Sequence, residues 1–184
     1  MTIGGLILAA GEGRRFGGTK QLAELDGRPL LEYALAAMTG VTPRVVVLGH
    51  AADKIRRGVN MHGASVVECD DWAEGQSASL RAGLDALASC DAVVVVLGDQ
   101  PGITAAAIDA VVSAAGEEDA VRAVYDGKPG HPVLLRRPLL ERAGELRGDS
   151  GFRDLLESAT VREVEIGALA DPADIDTREE LARR

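Results

Sequence analysis

Glycines and cations crowd the stretch that follows the first apolar run of the chain. Residues 11–20 hold four glycines and three cations, namely Gly11, Gly13, Gly17, Gly18, Arg14, Arg15 and Lys20. Because glycine has no Cβ, backbone N–H groups can turn toward a bound ligand, and nearby cations favour a polyanion such as phosphate. The stretch therefore predicts a phosphate-binding loop, with an ordinary strand-to-helix turn carrying solvated basic residues as the alternative.

Two common phosphate loops do not fit this stretch. The dinucleotide fingerprint G-x-G-x-x-G requires glycine where Phe16 stands, and a P-loop requires Ser or Thr after its lysine, where Gln21 stands. The stretch instead resembles L-x-A-G-x-x-x-R-x-G-x-x-K, the opening signature of the GT-A-like nucleotidyltransferases. The fixed positions of that signature are occupied here by Leu8, Ala10, Gly11, Arg15, Gly17 and Lys20.

A second chemical signal follows the most continuously apolar segment, residues 92–97. The sequence Gly-Asp-Gln-Pro comes directly after it, at residues 98–101. An aspartate at a strand exit can hold a divalent cation against phosphates, because Mg²⁺ prefers oxygen ligands. An Asx-turn begun by Asp99 is the alternative interpretation. The nucleotidyltransferases carry a similar G-D-x-P feature after a comparable strand, which favours the metal interpretation.

Strands and helices alternate along the first part of the chain. Apolar runs predict strands over residues 3–10, 44–48, 64–69 and 92–97. Helical spacing of apolar residues predicts helices from Pro29 to a stop at Gly40, over 52–57, over 77–87 with Ser77 as its cap, and over 104–115 with Thr104 as its cap. This alternation predicts a mostly parallel sheet with right-handed crossovers.

The second part of the chain follows a different pattern. Two strands over 120–125 and 133–136 are predicted to flank a turn-rich hairpin or flap at 126–130, followed by helices over 138–146 and 150–158, a half-exposed strand over 161–166 and a short terminal helix. We therefore predict one domain over residues 1–184, a three-layer α/β/α fold with a mostly parallel sheet and an inserted β-flap. Ligands of such sheets bind at the carboxyl ends of strands, near the point where strand order reverses.

Composition narrows the classes of ligand and partner. The chain has 184 residues, 46% of them hydrophobic and only 3% aromatic, so the core must be aliphatic. A net charge of −9 argues against a nucleic-acid or anionic membrane surface, and the basic loop suits one small anionic ligand. Cys69 and Cys90 lack metal-site spacing, so we expect buried free thiols. Without a signal-peptide pattern or an apolar run of about 20 residues, we expect a cytoplasmic protein.

Further motifs narrow the resemblance to one subgroup, the molybdenum cofactor cytidylyltransferases, relatives of the molybdopterin guanylyltransferases. These motifs are WAEGQSASLRAG at residues 72–83, GHPV at 130–133, GDSG at 148–151 and DIDT at 174–177. They match in the subgroup's order across essentially the whole chain. The resemblance implies the GT-A fold, a Rossmann-like fold of nucleotide-diphospho-sugar transferases. Ala10 is typical of the cytidylyl type, whereas the guanylyl type tends to have glycine there.

The resemblance also implies roles for individual residues. The nucleotide would contact Leu8, Ala9, Ala10, Gly11, Glu12, Gly13, Ser77 and Gly98. Arg15 and Lys20 would hold the triphosphate and neutralise the leaving pyrophosphate, making them catalytic together with Asp99. Mg²⁺ would bind Asp99, with either Asp176 or Asp174 completing the site. The acceptor pocket would be shaped by Gln100, His131, Pro132, Gly148, Asp149 and Gly151.

The implied reaction is in-line attack of an acceptor phosphate on the α-phosphorus of CTP, with pyrophosphate leaving. Such transfer depends mainly on positioning and electrostatic stabilisation, and an acceptor phosphate is already anionic at neutral pH. No general base is then needed, and a packing or hydrogen-bonding role for His131 is favoured over an acid–base role. The expected partners are a nucleoside triphosphate, a phosphorylated small molecule and a molybdoenzyme or chaperone.

Two other functions remain open from the sequence. The first keeps the chemistry but uses GTP, or a sugar or alcohol phosphate as acceptor. In the second, the fold binds a nucleotide or flavin and has been recruited as an oxidoreductase or an accessory binding protein. Some proteins similar to the subgroup are oxidoreductases that act on a nicotine-derived dye. The lack of G-x-G-x-x-G argues against a Rossmann-type redox site.

Overall fold

The structure, a computed structural model, describes residues 1–148 and 151–184. Its strands are β1 (Ile3–Ala9), β2 (Glu24–Leu25), β3 (Arg28–Pro29), β4 (Arg44–Leu48), β5 (Ser65–Glu68), β6 (Ala92–Leu97), β7 (Ala120–Tyr125), β8 (Lys128–Arg136) and β9 (Val161–Glu165). Its α-helices are α1 (Leu30–Ala37), α2 (Ala52–Gly58), α3 (Gln76–Ala86), α4 (Ala105–Ser113), α5 (Arg137–Leu140), α6 (Gly151–Glu157) and α7 (Arg178–Ala182).

One seven-stranded sheet forms the centre of the molecule, in the order β5-β4-β1-β6-β8-β7-β9. Strand β8 runs antiparallel to both of its neighbours, β6 and β7, and the other pairings of this sheet are parallel. From β1 the chain crosses to β4 and β5 on one side and then returns to β6 on the other. Strand order therefore reverses between β1 and β6, and their carboxyl ends form the crevice in which such sheets bind ligands.

Alternating side chains of the central strands build an apolar layer on each face of the sheet. Ile7 of β1 and Val94 of β6 pack with residues of α1 and α4 on one face. Leu6 of β1 and Val95 of β6 pack with residues of α3, α5 and α6 on the other. Strands buried on both faces read as continuous apolar runs, which is why the sequence showed them clearly. The predicted three-layer α/β/α architecture is confirmed.

The predicted hairpin is present but is a structural part of the main sheet. Its turn consists of Asp126 and Gly127, with φ angles of 51° and 74°, so β8 begins at Lys128, five residues earlier than the predicted 133–136. Asp-Gly is favoured in such two-residue turns because both positions need positive φ. Pairing between β8 and β6 joins the hairpin to the parallel strands.

Two local predictions need correction. Ser77 does not cap its helix: Gly75 is the N-cap of α3, with a φ of 113° that side-chain-bearing residues rarely adopt, and Ser77 lies inside the first turn. The helix predicted over 138–146 is divided into α5 and a 3-10 turn, Ala143–Glu145. The small antiparallel pair β2–β3 was not predicted.

Cys69 and Cys90 are buried and free, as expected. Within the described residues, no helix has both the length and the apolar character needed to cross a membrane.

Candidate active site

A cavity lies where the glycine loop after β1 meets the end of β6. The two strand ends are joined by a hydrogen bond from Gly98 N to Leu8 O of 2.9 Å. The cavity has a volume of about 380 Å³. Most of the residues predicted to bind the nucleotide line it, together with two predicted catalytic residues: Leu8, Ala9, Ala10, Gly11, Glu12, Gly13, Gly98, Lys20 and Asp99. The cavity thus occupies the crevice at the reversal of strand order.

The glycine loop is held in shape by Gln21, which the sequence did not single out. Its side chain is 5% exposed, and Nε2 donates to Ala9 O at 2.8 Å and to Gly11 O at 2.9 Å. Gly13 has a φ of 71°, and a Cβ there would lie 2.6 Å from Gly18 O. Glycine is therefore required at this position, because neither the backbone angle nor the close approach accommodates a side chain.

Lys20 connects the loop to two aspartates. Its Nζ donates to Asp99 Oδ2 at 2.7 Å and to Asp176 Oδ1 at 3.0 Å. Burial acts to lower the pKa of Lys20, but the adjacent carboxylates outweigh it and raise the pKa above its usual value. Arg15 NH2 contacts Asp176 Oδ2 at 2.8 Å, although the Arg15 side chain is 77% exposed. Two loop cations, the strand-end carboxylate of Asp99 and the C-terminal carboxylate of Asp176 therefore form one charged cluster beside the cavity.

This cluster fits a divalent cation that also binds phosphate oxygens. Asp99 and Asp176 direct oxygens at the same point, the Lys20 ammonium, and Asp99 Oδ1 is buried with no hydrogen-bond partner in the described part of the chain. No group of three His, Cys, Asp or Glu side chains there could hold a metal alone. One or two protein carboxylates completed by phosphate oxygens is the usual arrangement for Mg²⁺.

The two aspartates of the C-terminal DIDT motif have different surroundings. Asp176 shares Lys20 with Asp99, whereas Asp174 Oδ1 accepts a hydrogen bond of 2.7 Å from Gln100 Nε2. Burial, followed by the negative charge of Asp99, raises the pKa of Asp174. Of the two alternatives left open by the sequence, Asp176 is the one beside Lys20.

The C-terminal segment is anchored over the strand end by the residue between those aspartates. Ile175 N donates to Asp99 O at 3.0 Å, and its fully buried side chain packs with Phe16 and Leu30. The Arg178 guanidinium lies 5.0 Å from the centre of the Phe16 ring. These contacts join the glycine loop to the C-terminal segment, which explains how a residue so distant in sequence as Asp176 reaches Lys20.

A second cavity, of about 560 Å³, adjoins the first through Leu97, which lines both. Two predicted acceptor residues, Gln100 and His131, line the second cavity together with Asp174. The His131 ring meets the Phe152 ring edge-on, with centres 5.2 Å apart. Burial lowers the pKa of His131 to about 4, against the opposing effect of Asp99. The imidazole is therefore neutral at neutral pH.

Several predicted site residues do not line either cavity. Ser77 is fully buried and its N–H donates to Gly148 O at 3.0 Å. Arg15, Pro132, Gly148 and Gly151 are absent from both linings, although Arg15 belongs to the charged cluster and Gly151 begins α6. Asp149 lies outside the described residues. Binding roles for these residues stay predictions.

The first cavity also has a wall that the sequence did not assign, formed by Trp72, Gln76 and Ser79. Trp72 packs closely against Gly49, where an added Cβ would lie 2.6 Å from Trp72 Cβ. The His50 ring meets Trp72 edge-on at 5.3 Å. Those three wall residues fall within the 72–83 motif, so the signal was present, but only the fold shows which of its side chains face the cavity.

Comparison with known proteins identifies relatives along nearly the whole chain. The family model described as a MobA-like NTP transferase domain matches residues 5–164. Nicotine blue oxidoreductase of Paenarthrobacter nicotinovorans is 29% identical, over 97% of this chain and 94% of that protein. The bifunctional protein GlmU of Kineococcus radiotolerans is 33% identical over 97% of this chain, which spans only 38% of that protein.

Solved structures give the same result. A homologue of Mycobacterium tuberculosis Rv0371c, from Mycobacterium sp. strain JC1, is 31% identical with a TM-score of 0.86, covering 98% of this chain and 93% of that one. Rv0371c itself was solved in complex with manganese. That structure is 28% identical with a TM-score of 0.81, covering 100% of this chain and 97% of that one.

Proposed function

The chain belongs to the MobA-like NTP transferase domain family and is a nucleotidyltransferase, and we propose that it transfers CMP from CTP to the phosphate of a molybdopterin-type cofactor in a Mg²⁺-dependent reaction. One observation carries the proposal. Lys20 is held between Asp99 and Asp176 at the edge of a glycine-lined cavity. This arrangement supplies a cation for phosphates and paired carboxylates for a metal, as nucleotidyl transfer requires.

The glycine loop and its cations bind the triphosphate in this proposal. Backbone N–H groups of residues 11–13 face the phosphates, and Lys20 neutralises charge that develops on the departing pyrophosphate. Arg15 is exposed and pairs with Asp176, which places its guanidinium beside the phosphates in this proposal. Arg14 has a different role, because its Nε is paired with Glu12 at 2.7 Å. That pairing also keeps the Glu12 carboxylate from repelling the triphosphate.

Asp99 and Asp176 would hold Mg²⁺, which, when bound, neutralises phosphate charge and orients the α-phosphate. The manganese complex of Rv0371c supports a divalent ion in this family. Asp99 is positioned by β6, and Asp176 by the contacts of Ile175 with Asp99 and Phe16. Both carboxylates are therefore fixed before substrate arrives, which lowers the cost of organising them during the reaction.

The acceptor phosphate occupies the boundary between the two cavities, near Leu97. Gln100 is fixed there by hydrogen bonds from its Nε2 to Asp174 and to Pro172 O. His131 is neutral, so it orients the acceptor by hydrogen bonding and does not supply a proton. An acceptor phosphate is already an anion, and its attack on the α-phosphorus needs alignment more than a base.

The preference for CTP rests on Ala10, which lines the first cavity and is 5% exposed. Isothermal titration of the protein with CTP, GTP and ATP, with and without MgCl₂, tests it. We expect Mg²⁺-dependent binding of CTP that is lost in Asp99→Asn and retained in Asp109→Asn, a matched change at an exposed residue of α4. Tighter binding of GTP would reassign the base and leave the chemistry intact.

Oxidoreductase activity is a second candidate function, favoured by the similarity to nicotine blue oxidoreductase over nearly the full length of both chains. The same titration extended to NAD(P)H and flavins separates the two. Tight binding of a redox cofactor without binding of any triphosphate would overturn the nucleotidyl-transfer proposal for this chain and support the redox function.

A further inference from the structure

Three buried polar atoms without hydrogen-bond partners belong to residues that line the second cavity. Among the described residues these are Gln100 Oε1, His131 Nε2 and Arg122 Nε. Buried polar groups in folded proteins are nearly always paired, so three unpaired atoms around one cavity indicate a ligand with several polar groups. Gln100 and His131 belong to motifs that imply acceptor binding. Arg122 belongs to none of them.

Arg122 occupies an unusual place for an arginine. It lies within β7, and it shares the second cavity with Phe152 and Leu156 of α6. Its NH2 donates to Glu163 Oε1 on β9 at 2.5 Å, and its side chain is 27% exposed. A guanidinium carries five N–H donors, and this ion pair leaves the buried Nε–H unused. The ion pair therefore holds the guanidinium in place but leaves its buried Nε–H without a hydrogen-bond acceptor among the described residues.

Sheet register gives the distance of Arg122 from Leu97, near which the acceptor phosphate is placed. Arg122 pairs with Val133 of β8, which pairs with Val95 of β6, the strand that ends beside Asp99. Neighbouring strands are about 4.8 Å apart and each residue rises about 3.3 Å, so Arg122, two strands from β6 and level with Val95, lies about 12 Å from Leu97. Val133, Phe152 and Leu156 form an apolar part of the cavity wall.

We propose that Arg122 binds an oxygen acceptor, a carboxylate or carbonyl, at the end of the acceptor molecule remote from its phosphate. This assignment rests on the proposed function, which places the acceptor phosphate near Leu97. The ligand class that fits is a phosphate ester with a flat aromatic body that spans most of this distance of about 12 Å and carries an oxygen at its far end. The Nε–H of Arg122 donates to that oxygen, while Glu163 holds the guanidinium in place.

Aromatic phosphate esters of matched size test the assignment. The probes are 6-carboxy-2-naphthyl phosphate, its carboxamide and unsubstituted 2-naphthyl phosphate, titrated calorimetrically with and without MgCl₂ and α,β-methylene-CTP. The wild type is expected to bind one or both oxygen-bearing esters at least about tenfold more tightly than the unsubstituted ester, the scale of one hydrogen bond to a charged group. Comparing the affinities of the carboxylate ester and the carboxamide ester shows whether Arg122 prefers an anionic oxygen or a neutral carbonyl.

Variants separate a binding role from a structural one. Arg122→Met is expected to abolish the preference. Arg122→Lys keeps a cation for Glu163 but has no Nε–H, so it is expected to abolish the preference as well. Arg162→Met is the matched control, because Arg162 lies on the neighbouring strand β9 and pairs with Glu118 at 2.7 Å, outside the cavity.

Three results would overturn the assignment: no preference in the wild type, a preference that survives in Arg122→Met, or full recovery in Arg122→Lys. Failure of the proposed function looks different. In that case the wild type binds no α,β-methylene-CTP with or without MgCl₂, while the preference among the esters is still measured in the titrations without nucleotide.

Discussion

Replacing Lys20 with methionine removes the ammonium that Asp99 and Asp176 share while keeping a side chain of similar length. Removing one partner from a fully buried ion pair costs about 3–5 kcal/mol, and from an exposed one about 0–1 kcal/mol. The side chains of Lys20, Asp99 and Asp176 are 14%, 26% and 24% exposed. We therefore expect a loss of about 2 kcal/mol in the free energy of unfolding without metal, between those limits.

A divalent cation should reverse much of that loss. Mn²⁺ at about 1 mM, bound with a Kd of about 10 µM, stabilises a folded protein by about 2.7 kcal/mol. In the wild type, Lys20 already occupies the point toward which Asp99 Oδ2 and Asp176 Oδ1 are directed, so Mn²⁺ alone must displace it. The variant is therefore expected to gain more stability from Mn²⁺ than the wild type does, by at least about 1 kcal/mol.

Urea unfolding with and without MnCl₂, in the absence of nucleotide, measures both quantities. Lys54→Met is the matched control, since Lys54 is exposed on α2, and it should change neither. Catalysis in Lys20→Met should fall by at least about 10²-fold, the effect of losing one electrostatic stabiliser. A variant as stable as the wild type without metal, with no greater gain from Mn²⁺, would refute the assignment of Lys20 and the carboxylates to one cation site.

Two further predictions concern pH and packing. The pKa of His131 is about 4 in the folded protein, so as pH falls from 6.5 toward 4 the unfolded chain binds a proton at His131 and the folded chain does not. The wild type should therefore lose up to about 3 kcal/mol more stability than His131→Gln over that range. Urea unfolding at several pH values measures this, and the same dependence of unfolding free energy on pH in both proteins would contradict it. Gly49→Ala should destabilise the fold by about 1–3 kcal/mol and weaken nucleotide binding, because the added Cβ would lie 2.6 Å from Trp72 and 2.8 Å from Ala10 O. Gly40→Ala is the control, because a Cβ at Gly40 meets nothing within 4 Å. Thermal unfolding and nucleotide titrations should show no change in that control.

Local sequence was sufficient for the strands, the loop and the cluster's main residues. The runs at 44–48, 92–97 and 120–125 were predicted with the bounds that the structure shows, because strands whose side chains are mostly buried leave a nearly continuous apolar signal. The glycine loop and Asp99 were identified as chemical sites for a related reason. Both follow such strands directly, and strand ends are where an α/β sheet exposes its functional groups.

Local sequence misled where the backbone overrode side-chain preference. Ser77 is a good capping residue by type, but Gly75 takes the cap because its φ of 113° suits glycine and no side-chain-bearing residue. The hairpin looked like a flap because Gly and Pro at 127–130 suggested a long turn. In the structure Asp126 and Gly127 alone make the turn, and β8 pairs with β7 from Lys128 onward, with Pro129 opposite Val124.

The sequence by itself determined the fold class, the glycine loop after the first strand and the likeness to nucleotidyltransferases, because each rests on patterns of residues close together in the chain. Only the tertiary structure decided which side chains of distant segments come into contact. It chose Asp176 over Asp174 beside Lys20, through the burial of Ile175 against Phe16. It also turned Gln21, Trp72 and Arg122 toward cavities. Those outcomes depend on contacts between residues far apart in sequence, which no local spacing records.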